Sequence, residues 1–275
     1  MKFGTLQNVI EQPLSSAFTV ASDLGFQGVE LDWYDFAEAQ PGGPLAPENR
    51  DAIRQDAAHA GVEIPCVAAH FLNRGGLADA EMEAFGLDAV RTAIRLCTDL
   101  GVAYMLVPFF GPAMMHDDQA VARLEANLRL LAPEAEQAGV TLAIEHTLRG
   151  DQTAALLERV DSPAVGNYWD MANCMGLGYD PLEEIAQLGK HIVRVHAKEY
   201  HQGDAAPGTP QEPHFDGLNT KPFGEGDVPV PDVLAALQEV GYDGYVVLET
   251  GKFDDAARSA SAALSLLQEL TGQSQ

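Results

Sequence analysis

The chain has 275 residues, 46% of them hydrophobic and 21% charged, with a formal net charge of −25 at pH 7. Acidity of this size without a basic stripe argues against binding a phosphate backbone, so no nucleic-acid partner is expected. No run reaches the roughly 18 apolar residues of a membrane span. Met1-Lys2-Phe3-Gly4 does not open a basic and then apolar leader, so no secretory signal is expected. The scattered Cys66, Cys97 and Cys174 read as reduced, buried thiols of a cytoplasmic protein. The acidity reads as a solvated surface and specifies no function.

Short β-branched or aromatic runs alternate with segments of helical period along the chain. Residues 3–6 read as a first strand, followed by a helix over 15–24 that stops at Gly25. Residues 28–31 form a second strand, and 49–60 a helix closed by Gly61, a residue suited to the position after a helix end. After a third strand over 64–70, Leu87, Val90, Ile94 and Cys97 make the apolar stripe of the next helix. Residues 103–109 are apolar throughout, as in a parallel strand covered on both faces. A helix opens near Asp117-Asp118 and stops at Gly139, and Pro133 is expected to kink or interrupt it. Strands over 140–145, 165–170, 192–196 and 245–249 follow, with helices over 154–159, 181–188, 231–240 and 256–270.

Eight strand–helix repeats in a chain of this length predict an α/β fold, a closed (β/α)₈ TIM barrel in a single domain, 1–275. An open doubly wound sheet is the alternative, but Gly-x-Gly-x-x-Gly is absent after the first strand. The stretch 200–229, rich in Gly, Pro and His, is long for a connection. It reads as a lid or binding loop, or as a disordered segment.

Barrel active sites lie at the C-terminal ends of the strands, so strands ending in ionisable residues matter most. The fifth ends in Glu145-His146, the sixth in Trp169-Asp170, the seventh in Val195-His196 and the eighth in Glu249. Neighbouring strands would bring Glu145, Asp170, His196 and Glu249 to one point. Three carboxylates and an imidazole repel or protonate one another in a dry pocket unless a cation is present. Oxygen and nitrogen ligands suit Mn²⁺, Co²⁺, Mg²⁺ or Zn²⁺, and the imidazole favours Mn²⁺ or another transition ion over Mg²⁺. Each residue alone also fits a loop anchor or a satisfied core group; the set of four on adjacent strands does not.

These residues resemble the xylose isomerase-like TIM-barrel superfamily, in its sugar phosphate isomerase/epimerase branch, over essentially the whole chain. The resemblance rests on Gly28-Val29-Glu30-Leu31, Leu142-Ala143-Ile144-Glu145, Trp169-Asp170, Val195-His196-Ala197-Lys198-Glu199, Gly224-Glu225-Gly226-Asp227 and Gly241-Tyr242-Asp243-Gly244 before Val247-Leu248-Glu249. It implies one divalent metal ion, Mn²⁺ foremost, on Glu145, Asp170, His196 and Glu249, with Glu145 and Glu249 doubling as the catalytic acid/base pair. Hydroxypyruvate isomerases usually carry Gln at the metal His, so His196 counts against that member. Ketose epimerases usually carry His where this chain has Asn173 and Arg where it has Gln202. The trinuclear zinc set of the superfamily's apurinic endonucleases is broken: Val107-Pro108-Phe109 lacks a His, and Asp216 follows His214.

The expected reaction is isomerisation or epimerisation of a sugar, sugar phosphate or inosose through a metal-stabilised enediolate. Loss of a β-hydroxyl from the same enediolate would make a dehydratase of inosose or dehydroshikimate, and a non-catalytic sugar-binding barrel is a third alternative. Lys198 either grips substrate or pairs with a carboxylate such as Glu30. His70 contacts substrate or is a core histidine, and Glu30 contacts substrate, supports a ligand or forms a buried pair. Trp33 stacks on a sugar or packs, and Asn173 binds substrate or caps a turn. The expected partner is a small-molecule carbohydrate; monomer or homo-oligomer stays open.

Overall fold

The computed structural model describes residues 1–203, 217–253 and 255–273. Its strands are β1 Lys2–Leu6, β2 Gly28–Asp32, β3 Val67–Ala68, β4 Tyr104–Pro108, β5 Thr141–Glu145, β6 Val165–Asp170, β7 Ile192–Ala197 and β8 Tyr245–Leu248. They pair in sequence order into a closed barrel. The last joint is parallel, with Phe3 opposite Val246 and Gly4 opposite Val247. Strands of this kind are covered on both faces, and Met105, Leu106, Val107, Leu142, Ala143 and Ile144 are accordingly all buried.

The helices are α1 Leu14–Asp23, α2 Arg50–Ala60, α3 Glu83–Leu100, α4 Asp118–Ala138, α5 Gly150–Val160, α6 Asn173–Gly176, α7 Pro181–Leu188, α8 Val230–Glu239 and α9 Ala256–Leu270. Gly61, Gly101 and Gly139 end α2, α3 and α4 in the left-handed region, where a side chain is disfavoured. The three cysteines are free and buried. No helix among the described residues is long and apolar enough to cross a membrane.

Two local expectations need correction. Residue Pro133 does not interrupt α4, which runs through it unbroken. Both Pro133 and Arg129, whose carbonyl loses its partner, are exposed, so water can satisfy that carbonyl, while Leu128, Leu131, Ala132 and Ala135 hold the inner face in the core. Replacing Pro133 by Ala is therefore expected to raise stability by about 1–3 kcal/mol, read as a higher urea midpoint at unchanged slope. The second correction concerns the third strand, expected over 64–70, which pairs only at Val67–Ala68. The backbone leaves the extended region at Ala69 and His70 opens a 3-10 turn, His70–Arg74. Of the stretch 200–229 expected as a lid, residues 204–216, with His214 and Asp216 among them, lie outside the described residues.

Candidate metal centre

Strand pairing sets up the site. Asp170 and His196 are register partners across β6 and β7, while Ala197 pairs with Leu248 and brings Glu249 just past the end of β8. Glu145 closes β5. One ligand atom from each of Glu145, Asp170, His196 and Glu249 lies within 4.8 Å of the others. The structure thus brings together the four residues expected to hold a cation.

The chemistry of this group matches a cation rather than a self-satisfied polar cluster. His196 Nδ1 lies 3.6 Å from Glu145 Oε1 and 3.1 Å from Glu249 Oε2. Yet His196 Nδ1, Asp170 Oδ2 and Glu249 Oε2 are buried atoms without a hydrogen bond. Buried polar atoms are normally hydrogen-bonded, and three that are not, aimed at one point, are a donor set that fits a cation. Lys198 Nζ approaches Glu249 Oε2 at 2.9 Å and Asp170 Oδ2 at 3.4 Å. A carboxylate oxygen has two lone pairs, so Glu249 Oε2 can meet Lys198 and still offer one to a cation.

Each ligand is held from behind. Asp170 Oδ1 accepts from the backbone N–H groups of Ala172 and Asn173, at 2.8 and 2.7 Å, which turns Oδ2 inward. Glu145 Oε1 accepts from Asn173 Nδ2 at 3.0 Å. His196 Nε2 faces Glu30 Oε1 at 3.2 Å, and the other Glu30 oxygen accepts from the Tyr168 hydroxyl at 2.6 Å. With its Nε2–H given to Glu30, the imidazole has Nδ1 left for a cation once that nitrogen has lost its proton, the carboxylate–histidine arrangement that supports metal ligands.

The charges interlock. Burial raises the Asp170 carboxyl to about 6, with Lys198 opposing and the Glu249 and Glu145 carboxylates reinforcing. Burial would also raise Glu249, but the Lys198 and His196 cations outweigh it and hold this carboxyl well below its usual range. Burial disfavours the His196 imidazolium, yet Glu249, Glu145 and Glu30 overcome it and His196 titrates well above an ordinary histidine. Lys198 is likewise lifted by Asp170 and Glu249 against the burial cost. Without a cation, His196 therefore carries a proton at neutral pH, and Asp170 takes one up as pH falls toward 6. A cation must displace these protons, so affinity rises with pH. Binding of Mn²⁺ near pH 7 is expected to release about one proton, measured by calorimetry in buffers of different ionisation enthalpy; proton-neutral binding would contradict this balance.

The remaining candidate residues have distinct places. Lys198 pairs with Asp170 and Glu249, not with Glu30. Asn173 supports Glu145 and lies 3.5 Å from Lys198 Nζ. Glu30 is 0% exposed, and its two oxygens are engaged by His196 Nε2 and the Tyr168 hydroxyl, which places it behind His196. Trp33 is also 0% exposed. Alternation along β2 sends it away from the side of Glu30 and Asp32, into a cluster with Phe36 and Phe71, and its indole N–H donates to Asp35 O at 2.7 Å. Trp33 therefore packs against these rings. His70 is neither a core residue nor a ligand of the four-residue group: Nε2 pairs with Asp32 Oδ1 at 2.8 Å and the side chain is 15% exposed.

Sequence reasoning passed over Tyr168, Asp32 and Glu199. Period-two alternation was the available signal for the first two, since Tyr168 stands two residues before Asp170 and Asp32 two after Glu30. Glu199, fully buried, accepts from the N–H groups of Tyr200, Gly224 and Val228. It clamps the 224–228 turn beside the site, and a Cβ on Gly226 would fall 2.3 Å from its Oε1. His146, next to Glu145, points elsewhere: its Nδ1 accepts from Leu148 N–H, and burial lowers the imidazole to about 4.

A closed barrel with a candidate four-residue cation group at the ends of β5–β8 narrows the class of protein. The chain belongs to the xylose isomerase-like TIM barrel family, whose profile matches residues 18–270. It is 28% identical over 239 residues to L-ribulose-5-phosphate 3-epimerase UlaE of Salmonella heidelberg (strain SL476), covering 84% of this chain and 80% of that protein. It is 29% identical over 205 residues to 2-epi-5-epi-valiolone 7-phosphate 2-epimerase of an Actinoplanes species, covering 72% and 71%. Among solved structures, a xylose isomerase domain protein from Planctomyces limnophilus superposes with a TM-score of 0.80 at 18% identity, covering 99% and 97%. D-psicose 3-epimerase from Clostridium cellulolyticum H10, solved with D-tagatose, gives 0.77 at 17% identity and covers both chains completely, 100% and 100%. At such identities the structural likeness concerns the fold.

Proposed function

We propose that this chain is a divalent-metal-dependent isomerase or epimerase of a sugar, sugar phosphate or inosose, with Mn²⁺ the favoured ion. The observation that carries this reading is the convergence of Glu145, Asp170, His196 and Glu249 on one point, with three of their buried ligand atoms lacking a hydrogen bond. The epimerase activities named for the two sequence relatives support it. Glu145, Asp170, His196 Nδ1 and Glu249 would hold the cation, which when bound supplies the positive charge that polarises a carbonyl and favours charge on its oxygen.

The protein's own groups do the rest. Glu145 and Glu249 reach the centre from opposite sides of the Asp170–His196 pair, so one takes the proton from the carbon beside the substrate carbonyl and the other returns a proton to the resulting enediolate. Positioned acid–base catalysis of this kind contributes about 10²–10⁴-fold. Glu249, 24% exposed, opens to the barrel mouth and is the better placed to meet substrate. Lys198, fixed by two ligand carboxylates, supplies a donor beside the developing oxyanion.

A dehydratase is the second reading, and Asn173 favours it. The side chain is engaged with Glu145, at a position where ketose epimerases usually carry a substrate-binding His. Incubating the Mn²⁺-loaded protein in D₂O with free and phosphorylated ketoses, inososes and dehydroshikimate separates the two. Deuterium incorporated into recovered substrate or epimer is expected; loss of water with a new conjugated absorbance would establish the lyase instead. Neither result with any of them would overturn both.

A further inference from the structure

The metal ligands occupy the rim from β5 to β8, while the first strands carry a second polar network that the proposed chemistry leaves unused. We propose that Asp32, Tyr34 and His70 form a substrate-orienting arm on that opposite wall, with His70 Nδ1 the atom that holds a hydroxyl of the substrate beyond its reacting carbons. The proposal rests on the sugar-enzyme reading above and names a specificity determinant for it.

The network has one free end. Asp32 Oδ2 accepts from the backbone N–H of Asn8 at 2.7 Å, and Oδ1 takes His70 Nε2 at 2.8 Å and the Tyr34 hydroxyl at 3.2 Å. The Tyr34 hydroxyl also accepts from Asn8 Nδ2. Both carboxylate oxygens and the phenol are therefore engaged within the network. Tyr34 lies flat on the His70 ring, centroids 4.7 Å apart and planes 13° apart, which fixes the imidazole plane. His70 Nδ1 is left without a hydrogen bond among the described residues, on a side chain that keeps 15% exposure.

The arm also faces the right space. Around the rim the order is β8, β1, β2, β3, so Glu249, Asn8, Asp32 and His70 follow one another. The Glu249 carboxylate is near enough to act electrostatically on both His70 and Tyr34. A substrate seated at Glu249 thus meets, on its far side, one aromatic edge and one imidazole nitrogen. Tyr34, 45% exposed, offers an apolar ring to a sugar's C–H face, and Nδ1 offers the hydrogen bond that orients the chain. Asp32 acts only through His70 and is a positioning residue.

The stereochemistry of His replacements gives a discriminating test. Asn places a polar atom where Nδ1 stood, whereas Gln places one where Nε2 stood. With the ketose that the wild type exchanges fastest, His70→Phe is expected to raise KM about tenfold, the value of one good hydrogen bond, with a smaller change in kcat. His70→Asn should recover most of that loss and His70→Gln little of it, while Mn²⁺ affinity stays at the wild-type value in all three. Unchanged KM in His70→Phe would overturn the arm, as would recovery by Gln in preference to Asn. If His70→Phe does not fold, the Asn and Gln pair decides the matter alone. Absence of exchange by the wild type with every ketose would instead overturn the underlying sugar-enzyme reading, and the arm with it.

Discussion

Replacement of Glu249 by Gln is expected to lower proton exchange by about 10²–10⁴-fold in a protein that remains folded and still takes up Mn²⁺ at high metal concentration. Gln keeps the volume and one ligating oxygen but cannot accept a proton from carbon. Its neutral amide also removes the charge that Lys198 Nζ faces at 2.9 Å and His196 Nδ1 at 3.1 Å. Glu145→Gln should show a loss of similar size, since the two carboxylates share the proton transfer. The measurement is deuterium incorporation at saturating Mn²⁺, with metal content determined in parallel. Wild-type exchange in a metal-loaded Glu249→Gln protein would remove Glu249 from the acid/base role.

The second large effect is expected at a fully buried residue behind the site. Glu30→Gln should weaken Mn²⁺ binding by about 10–100-fold. Glu30 takes donors on both oxygens, the His196 ring N–H and the Tyr168 hydroxyl. An amide has a single oxygen, so one of those donors must face an NH₂ group. Either the His196 tautomer is no longer enforced or the Tyr168 contact that holds residue 30 in place is lost. Titration calorimetry reads the affinity, and ¹⁵N spectra of the protein loaded with diamagnetic Zn²⁺ report whether Nε2 of the imidazole still carries its proton. Unchanged affinity together with an unchanged tautomer would show that Glu30 only fills the barrel interior.

The strand-end ligands were legible because each closes a short apolar run: Val-Thr-Leu-Ala-Ile before Glu145 and Val-Val-Leu before Glu249 leave little doubt where the strand stops. Barrel topology then converts neighbouring strands into neighbouring side chains. What lay behind the ligands was not legible, because the contacts join residues far apart in sequence. The Tyr168–Glu30 hydrogen bond spans 138 residues and His196–Glu30 spans 166. Nothing local in Gly28-Val29-Glu30-Leu31 distinguishes a substrate contact from the buried support of a histidine.

Helix starts show the same limit. The fifth helix, expected over 154–159, begins at Gly150, because the Gly150 and Asp151 N–H groups are satisfied by Glu184 and Gln187 of α7. Those two contacts are tertiary, and the only local sign is Gln152, whose side chain accepts from the Arg149 N–H. At Pro133 the local signal was real but was outweighed by packing on the opposite helix face. The short third strand had its own sign in Pro65 and in the turn that opens at His70, yet the apolar run around it read as continuous strand.

The central claim is a single-cation centre built by Glu145, Asp170, His196 and Glu249, and anomalous diffraction from crystals of the Mn²⁺-loaded protein tests it most directly. The predicted result is one manganese peak per chain bounded by these four side chains, with Nδ1 as the histidine ligand and Nε2 still on Glu30. A peak elsewhere, three peaks at the barrel mouth, or coordination through His196 Nε2 would contradict it.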